Sequence, residues 1–362
     1  MTDKSSVEWL EEGYAHYRAE RWDAAAAALE RGLSGAADQA IAWYRLGNVR
    51  QEQGRDREAL ACFERSAALA PGHAASWNNL GSTLQGSGRP LEAAQAFRTA
   101  IRLDPDLALP YVNLGRLHEG QGEAAAAAAV YREALARFPD DAVFRHLLSA
   151  ATGITTTRAP AEYVVSLFDS MASRFEQHLV GQLGYHVPEA LACRVRPILS
   201  PGCKVLDLGC GTGLVGKAIA GNGARVYGID LSPRMLDYAR QTGAYAALDC
   251  KDLLQALGEV APSSCRAILA ADTFIYLGEL TEVFHRAACA LEPGGLFAFS
   301  AETTDQGDYR LTLPGRYAHS AAYLRRLAVE HGLAERELSS TRIRRQMGGH
   351  AEGLVAVFAR PE

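Results

Sequence analysis

The residues most able to do chemistry lie in the C-terminal half, where Val205-Leu206-Asp207-Leu208 runs into Gly209-Cys210-Gly211-Thr212-Gly213. An apolar run that ends in alternating glycines reads as a strand and a tight turn. Such a turn lets a ligand lie directly against backbone at the carboxyl end of the strand. A dinucleotide fingerprint would need glycine at 214, where Leu214 stands, and Asp207 ahead of the turn would repel a pyrophosphate. A cationic ligand fits better. A second acid supports the site: Arg225-Val226-Tyr227-Gly228-Ile229 ends in Asp230, 23 residues after Asp207, where a carboxylate can accept both hydroxyls of a ribose.

The turn resembles the Asp-x-Gly-x-Gly-x-Gly signature of class I S-adenosylmethionine-dependent methyltransferases at every fixed position, Asp207, Gly209, Gly211 and Gly213. The ammonium and sulfonium of that cofactor suit Asp207 and exposed carbonyls. The resemblance implies cofactor contacts from Asp207, Gly209, Cys210, Gly211, Gly213 and Asp230. It also implies that Leu231 and Met235 of Leu231-Ser232-Pro233-Arg234-Met235-Leu236 flank the adenine, with a core position as the other reading of Met235. Asp252 in Lys251-Asp252-Leu253 matches the acid that accepts the adenine amino group, with Leu253 beside it as a further cofactor contact, and Ala271 follows the strand whose end borders the methyl group. No metal is expected.

Methyl transfer is an in-line displacement at an already activated carbon, so the protein mainly positions the reactants and excludes water. An acceptor hydroxyl or ammonium would need a base, and the candidates are His319, Asp272, Tyr276, Glu302 and His350. His319 is expected on the loop side between the fifth strand and the next helix. The acceptor is expected to enter among Asp272, Phe274, Tyr276, Glu302, Arg316, Tyr317 and His319.

These residues require strands that alternate with helices. From residue 204 onward the pattern does so, which implies a parallel sheet covered on both faces. Leu291-Glu292-Pro293-Gly294-Gly295 turns into a fifth strand, and residues 335–346 and 354–360 supply the last two of an expected seven-stranded, Rossmann-like α/β domain over 201–362. Residues 163–200, with Tyr163, Leu167, Phe168, Met171 and Phe175 at helical spacing, resemble the helical lid of such enzymes, so that Phe175 and Tyr185 reach the cofactor. Residues 151–162 read as a linker.

The first 141 residues repeat. Trp9, Trp43, Trp77 and Tyr111 are spaced by 34 residues, as are Gly13, Gly47, Gly81 and Gly115, and Leu29, Phe63, Phe97 and Tyr131. Pro71, Pro105 and Pro139 close three of the units. The pattern resembles the tetratricopeptide repeat (TPR) family, with units at 6–39, 40–73, 74–107 and 108–141 and a capping helix that completes an all-α array over 1–150. Its groove would present Tyr44, Asn48, Asn78, Ser82, Gln85, Arg116 and Glu119, a polar and nearly neutral face. Such a face serves a protein partner, self-association or packing on the enzyme; the sequence leaves these open.

Composition narrows the class. A formal charge of -5 implies no nucleic-acid partner, and no window has about 18 uninterrupted apolar residues, so no membrane span is expected. The seven scattered cysteines form no metal spacing and read as reduced, in the cytoplasm. Three functions compete: a methyltransferase for a small-molecule O, N or S acceptor, a peptide or protein methyltransferase that docks substrate in the TPR groove, and a non-catalytic scaffold.

Overall fold

Two ladders of the repeat meet in space. The helices pair as α1 (Ser6–Arg18) with α2 (Trp22–Gly35), α3 (Ala40–Glu52) with α4 (Asp56–Leu69), α5 (Ala74–Gly86) with α6 (Pro90–Leu103), and α7 (Ala108–Gly120) with α8 (Ala124–Arg137). A Cβ at Gly13, Gly47, Gly81 or Gly115 would come within 2.7, 2.6, 2.6 or 2.2 Å of Leu29, Phe63, Phe97 or Tyr131 respectively. Glycine in the first helix is therefore what lets the bulky residue of the second approach. The aromatic ladder has its own role. Trp43 and Trp77 donate their indole N–H to the carbonyls of Ala37 and Pro71 at 2.9 Å, and Tyr111 donates to Pro105 at 3.3 Å. Each repeat is thus tied to the close of the one before. A ninth helix, α9 (Ala142–Thr152), stacks Phe144 on Phe138 at 5.8 Å and closes the array.

The computed structural model describes residues 4–172, 175–176, 184–346 and 349–362, except the side chains of 170 and 343–351, among them the candidate His350. It divides into two units, Met1–Leu148 and Ser149–Glu362. Among the described residues no helix is long and apolar enough to cross a membrane, and no group of three or more His, Cys, Asp or Glu could hold a metal ion.

In the second unit the sheet runs β3 (Ala247–Cys250), β2 (Arg225–Asp230), β1 (Lys204–Leu208), β4 (Cys265–Ala270), β5 (Leu291–Thr303), parallel throughout. β9 (Gly349–Ala359) then pairs antiparallel with β5, and β8 (Ala334–Gln346) with β9. Among the described residues the sheet has nine strands, where seven were expected. The extra pair is a hairpin of β6 (Tyr309–Thr312) and β7 (Arg316–His319) that extends the end of β5 through Glu302 and Thr303. Each of its strands has four residues, too few for an apolar period to emerge, although Pro314-Gly315 between them is a turn signal.

Helices cover both faces. α14 (Leu253–Glu259), α15 (Thr281–Ala290) and α16 (Ala321–Glu330) pack through Leu257, Phe284 and Leu324 against Ile268, Phe297 and Phe299. α11 (Val187–Val195) and α12 (Leu214–Ile219) pack through Leu191, Val195 and Ile219 against Val205, Ala267 and Leu269 on the other face. The sequence assigned all of 163–200 to a lid; α11 instead covers the sheet, because its Val187, Leu191, Ala192 and Val195 form an apolar stripe.

The segment read as a linker is also structural. Thr157 accepts the N–H groups of Gly278 and Glu279 at 2.8 and 2.9 Å, and Ala159 donates to the Tyr276 carbonyl at 2.9 Å. Thr156 and Tyr317 share a hydroxyl hydrogen bond at 2.5 Å, and Tyr163 donates to Pro314 at 3.0 Å. A Gly/Thr/Pro composition hides this, since backbone groups and short hydroxyls make the bonds and carry no apolar period.

Candidate functional site

The glycine turn is held by backbone. Gly209 and Cys210 both donate to the Ile229 carbonyl, at 2.7 and 2.9 Å, which fastens the end of β1 to that of β2. Gly209 has φ 68°, and a Cβ there would lie 2.4 Å from Thr273 Oγ1, which itself donates to the Leu208 carbonyl at 2.7 Å. Gly213 caps α12 with φ 93°. Both are in the left-handed region that favours glycine. Gly211 also has positive φ but nothing within 4 Å of its Cβ direction, and its N–H donates to Asp230 Oδ2 at 2.8 Å.

Asp230 orders the next loop as well, accepting Ser232 N–H on Oδ1 at 2.8 Å. Ser232 caps α13 (Pro233–Gln241) and donates its hydroxyl to Asp169 Oδ1 at 2.5 Å. Asp169 belongs to α10 (Ala161–Met171), so this bond holds α10 against the ends of the strands. Burial raises the Asp230 carboxyl pKa.

Asp207 is fully buried. Its Oδ2 accepts Tyr245 OH at 2.7 Å while Oδ1 has no hydrogen-bond partner. Burial raises its pKa to about 7, against the Tyr245 hydrogen bond, and the charge of Asp230 adds to the rise. Because the folded value lies above the ordinary 3.8, stability from this group is full below about pH 4 and is lost as pH rises towards 7. Asp207→Asn should therefore flatten a fall in unfolding free energy on the order of 4 kcal/mol between those limits. Urea unfolding of both proteins at pH 4 and pH 8 checks it; parallel pH profiles would show that Asp207 is ionised in the free protein.

The cleft at the strand ends encloses about 1130 Å3, open solvent at its mouth included. Of the residues expected there, Gly209, Gly211, Asp230, Leu231, Asp252, Leu253, Ala271, Asp272, Tyr276, Phe175 and Tyr185 line it. Others do not. Gly213 and Asp207 lie behind the turn, Cys210 packs with Leu236 and Ala239, and Met235 is wholly buried in α13. Asp252 spends Oδ1 capping α14, through Leu254 N–H at 2.9 Å, and pairs Oδ2 with Arg158 at 2.5 Å. Its helix-starting role was not visible in the adenine-binding likeness.

His319 is the clearest displacement. It sits at the end of β7, completely buried, with Nε2 3.1 Å from the Gly278 carbonyl. Burial lowers its pKa to about 4, and it does not line the cleft. The hairpin that the sequence hid turned a loop residue into a core residue. Glu302 likewise lies outside the lining, whereas Arg316 is within it.

Asp272 holds the central position. It follows β4 with φ 51°, donates its N–H to Ser300 Oγ at 2.8 Å and accepts the Ser300 hydroxyl on Oδ1 at 2.7 Å. A non-glycine residue kept in the left-handed region is strain that the surroundings must hold. Beyond it Phe168 meets Tyr276 edge to face at 5.5 Å, and Tyr163 meets Tyr276 at 6.4 Å. Reading the sequence missed Arg158, Val164, Thr273 and Ile275 in the wall; only the fold brings the 158 strap to the strand ends.

The residues fit the expected cofactor. The orphaned Asp207 Oδ1 suits a positive charge, Asp230 has lone pairs left beside Gly211, and the turn leaves open space over its backbone.

Comparison with known proteins agrees. Residues 205–295 match the family model for a methyltransferase domain, and residues 38–106 and 78–142 match models for the tetratricopeptide repeat. The ubiquinone biosynthesis O-methyltransferase of Xanthomonas campestris pv. campestris (strain B100) is 29% identical over 130 residues, covering 35% of this chain and 52% of that protein. The enzyme of the same description from Idiomarina loihiensis is 33% identical over 103 residues, covering 27% and 42%. The chain spans about half the length of the curated relatives it matches. The magnesium protoporphyrin IX methyltransferase of Synechocystis PCC 6803 aligns at 18% identity with a TM-score of 0.38, over 48% of this chain and 77% of that one.

Proposed function

The chain carries tetratricopeptide repeats followed by a class I methyltransferase domain, and from that premise we propose that it is an S-adenosylmethionine-dependent methyltransferase acting on a small-molecule acceptor in the cytoplasm. The observation that carries this reading is a single cleft, continuous from Gly209 and Gly211 through Asp230 to Asp272 and Tyr276. When bound, S-adenosylmethionine supplies a methyl group made electrophilic by its sulfonium.

The chain's own residues then bind, orient and exclude water. Asp230 accepts the ribose hydroxyls, Asp207 balances positive charge from behind the turn, and Leu231 and Leu253 offer apolar surface to the adenine. Phe175 and Tyr185 complete the wall on the lid side. Asp272, fixed by Ser300, takes the proton of the acceptor, and Tyr276 orients it. His319, buried within the hairpin and outside the cleft lining, is given no part in proton transfer on this reading.

Asp272→Asn should lower turnover by roughly 100-fold or more, the usual worth of general-base help, with cofactor affinity unchanged. The test incubates the protein with methyl-labelled S-adenosylmethionine and cell extract, compares label in metabolite and protein fractions, and repeats with the variant. Equal labelling by both proteins would remove Asp272 from the mechanism.

A second reading, a protein acceptor, has one observation in favour. Asn113 donates to Asn78 at 2.9 Å, Asn78 to Asn79 at 3.1 Å, Asn79 to Asn48 at 2.8 Å and Asn48 to Tyr17 at 3.2 Å, a row of fixed amides along the first helices of the array. Fixed amides suit an extended peptide backbone. Two residues expected in that groove are instead buried: Asn78, whose amide serves the row itself, and Glu119, which accepts Tyr131 OH at 2.9 Å and whose pKa burial raises to about 7. Label confined to the protein fraction would favour this reading.

A further inference from the structure

Among the described residues three cations line the cleft: Arg158, Lys251 and Arg316. Two are committed. Arg158 pairs with Asp252 at 2.5 Å, and Lys251 with Glu259 at 2.8 Å and Asp249 at 3.3 Å. Arg316 differs: its nearest carboxylate oxygen, Glu302 Oε1, stands 3.6 Å from Nη1, too far for a hydrogen bond, and Glu302 does not line the cleft. A guanidinium carries five donors in a planar fork that matches a carboxylate with two parallel bonds.

The wall beside Arg316 is aromatic. Tyr276 and Tyr163, which feel its charge together with Glu302 and Asp272, lie edge to face, and Phe168 closes the other side of Tyr276 at 5.5 Å and 81°. An edge-to-face arrangement leaves ring faces and edges for a planar ligand to pack upon. The position has a structural cause. Arg316 opens β7, whose short pairing with β5 carries it to the strand ends where Asp272 also sits.

On the reading that this cleft transfers methyl groups, we propose that Arg316 selects acceptors that are aromatic acids, a planar ring packed against the Phe168–Tyr276 pair with an anionic substituent on the guanidinium. A neutral acceptor leaves the half-buried guanidinium with only a long ion pair, and a cationic one meets it with like charge. An anionic group bound by the guanidinium gains charge-assisted bonds at shorter range than the repulsion it meets from Glu302 and Asp272.

The test is calorimetry on the full chain saturated with S-adenosylhomocysteine, using 4-hydroxycinnamate and its primary amide, which are planar and of matched shape, and 4-hydroxyphenethylamine as a cationic probe of similar length. The acid should bind at least ~10-fold more tightly than the amide, as a charge-assisted pair implies, and the amine least tightly. Arg316→Gln should abolish the preference with S-adenosylhomocysteine affinity unchanged, which also shows that the variant is folded; Arg316→Lys should restore part of it. Equal binding of acid and amide, tighter binding of the amine, a preference that survives in Arg316→Gln, or no binding of any probe would each overturn the proposal. Failure of S-adenosylhomocysteine to bind the unaltered protein would instead overturn the methyltransferase reading.

Discussion

Asp230→Ala should weaken S-adenosylhomocysteine binding by roughly 100-fold or more, because the change removes the ribose acceptors and strands two loop donors at about 1 to 3 kcal/mol each. Those donors are the N–H groups of Gly211 and Ser232, each 2.8 Å from the carboxylate. Gly211 belongs to the turn over which the cofactor must lie, and Ser232 carries the bond to Asp169 that seats the lid helix. One side chain thus organises both walls. Asp230→Asn is the informative partner, since it keeps the shape and one carbonyl acceptor but replaces the other oxygen by a donor that faces an N–H. Calorimetry on both variants checks the expectation, with thermal unfolding as a control. Near-native affinity in Asp230→Ala would mean that the ribose is held elsewhere in the cleft.

Gly115→Val should destabilise the array by about 3 kcal/mol, the upper range for forcing extra atoms into a packed core. The Cβ alone would fall 2.2 Å from the ring of Tyr131, which has no room to retreat: it is fully buried and its hydroxyl is held by the buried Glu119. Gly120, in the same helix, has nothing within 4 Å of its Cβ direction. Gly120→Ala should therefore be neutral or stabilising by up to about 1 kcal/mol. Urea unfolding followed by helical circular dichroism separates the two. If both glycines tolerate substitution equally, the glycine–aromatic contact does not set the helix spacing.

The two sites differ in how far they could be read in advance. Each repeat contact joins residues a fixed 16 positions apart, such as Gly47 with Phe63 and Gly81 with Phe97. A periodic sequence therefore writes its own contact map, and helix starts at Ala40, Ala74 and Ala108 recur at the repeat interval. The glycine turn was legible for a related reason: backbone that must take positive φ beside a ligand restricts residue type at adjacent positions, as at Gly209 and Gly211.

By itself the sequence determined the repeat register, the strand–turn–strand from Val205 to Asp230 and the acids at its two ends, because these depend on local backbone and short spacing. Tertiary structure alone decided which side chains face the cleft. Residues 155–159 carry no pattern, yet their hydrogen bonds to the 276–279 loop and to Tyr317 place Arg158 against Asp252. The four-residue strands β6 and β7 carry none either, yet their pairing buries His319 and turns Arg316 into the cleft. The physical reason is common to both: backbone hydrogen bonds between segments far apart in the chain are indifferent to side-chain type, so the sequence does not record them.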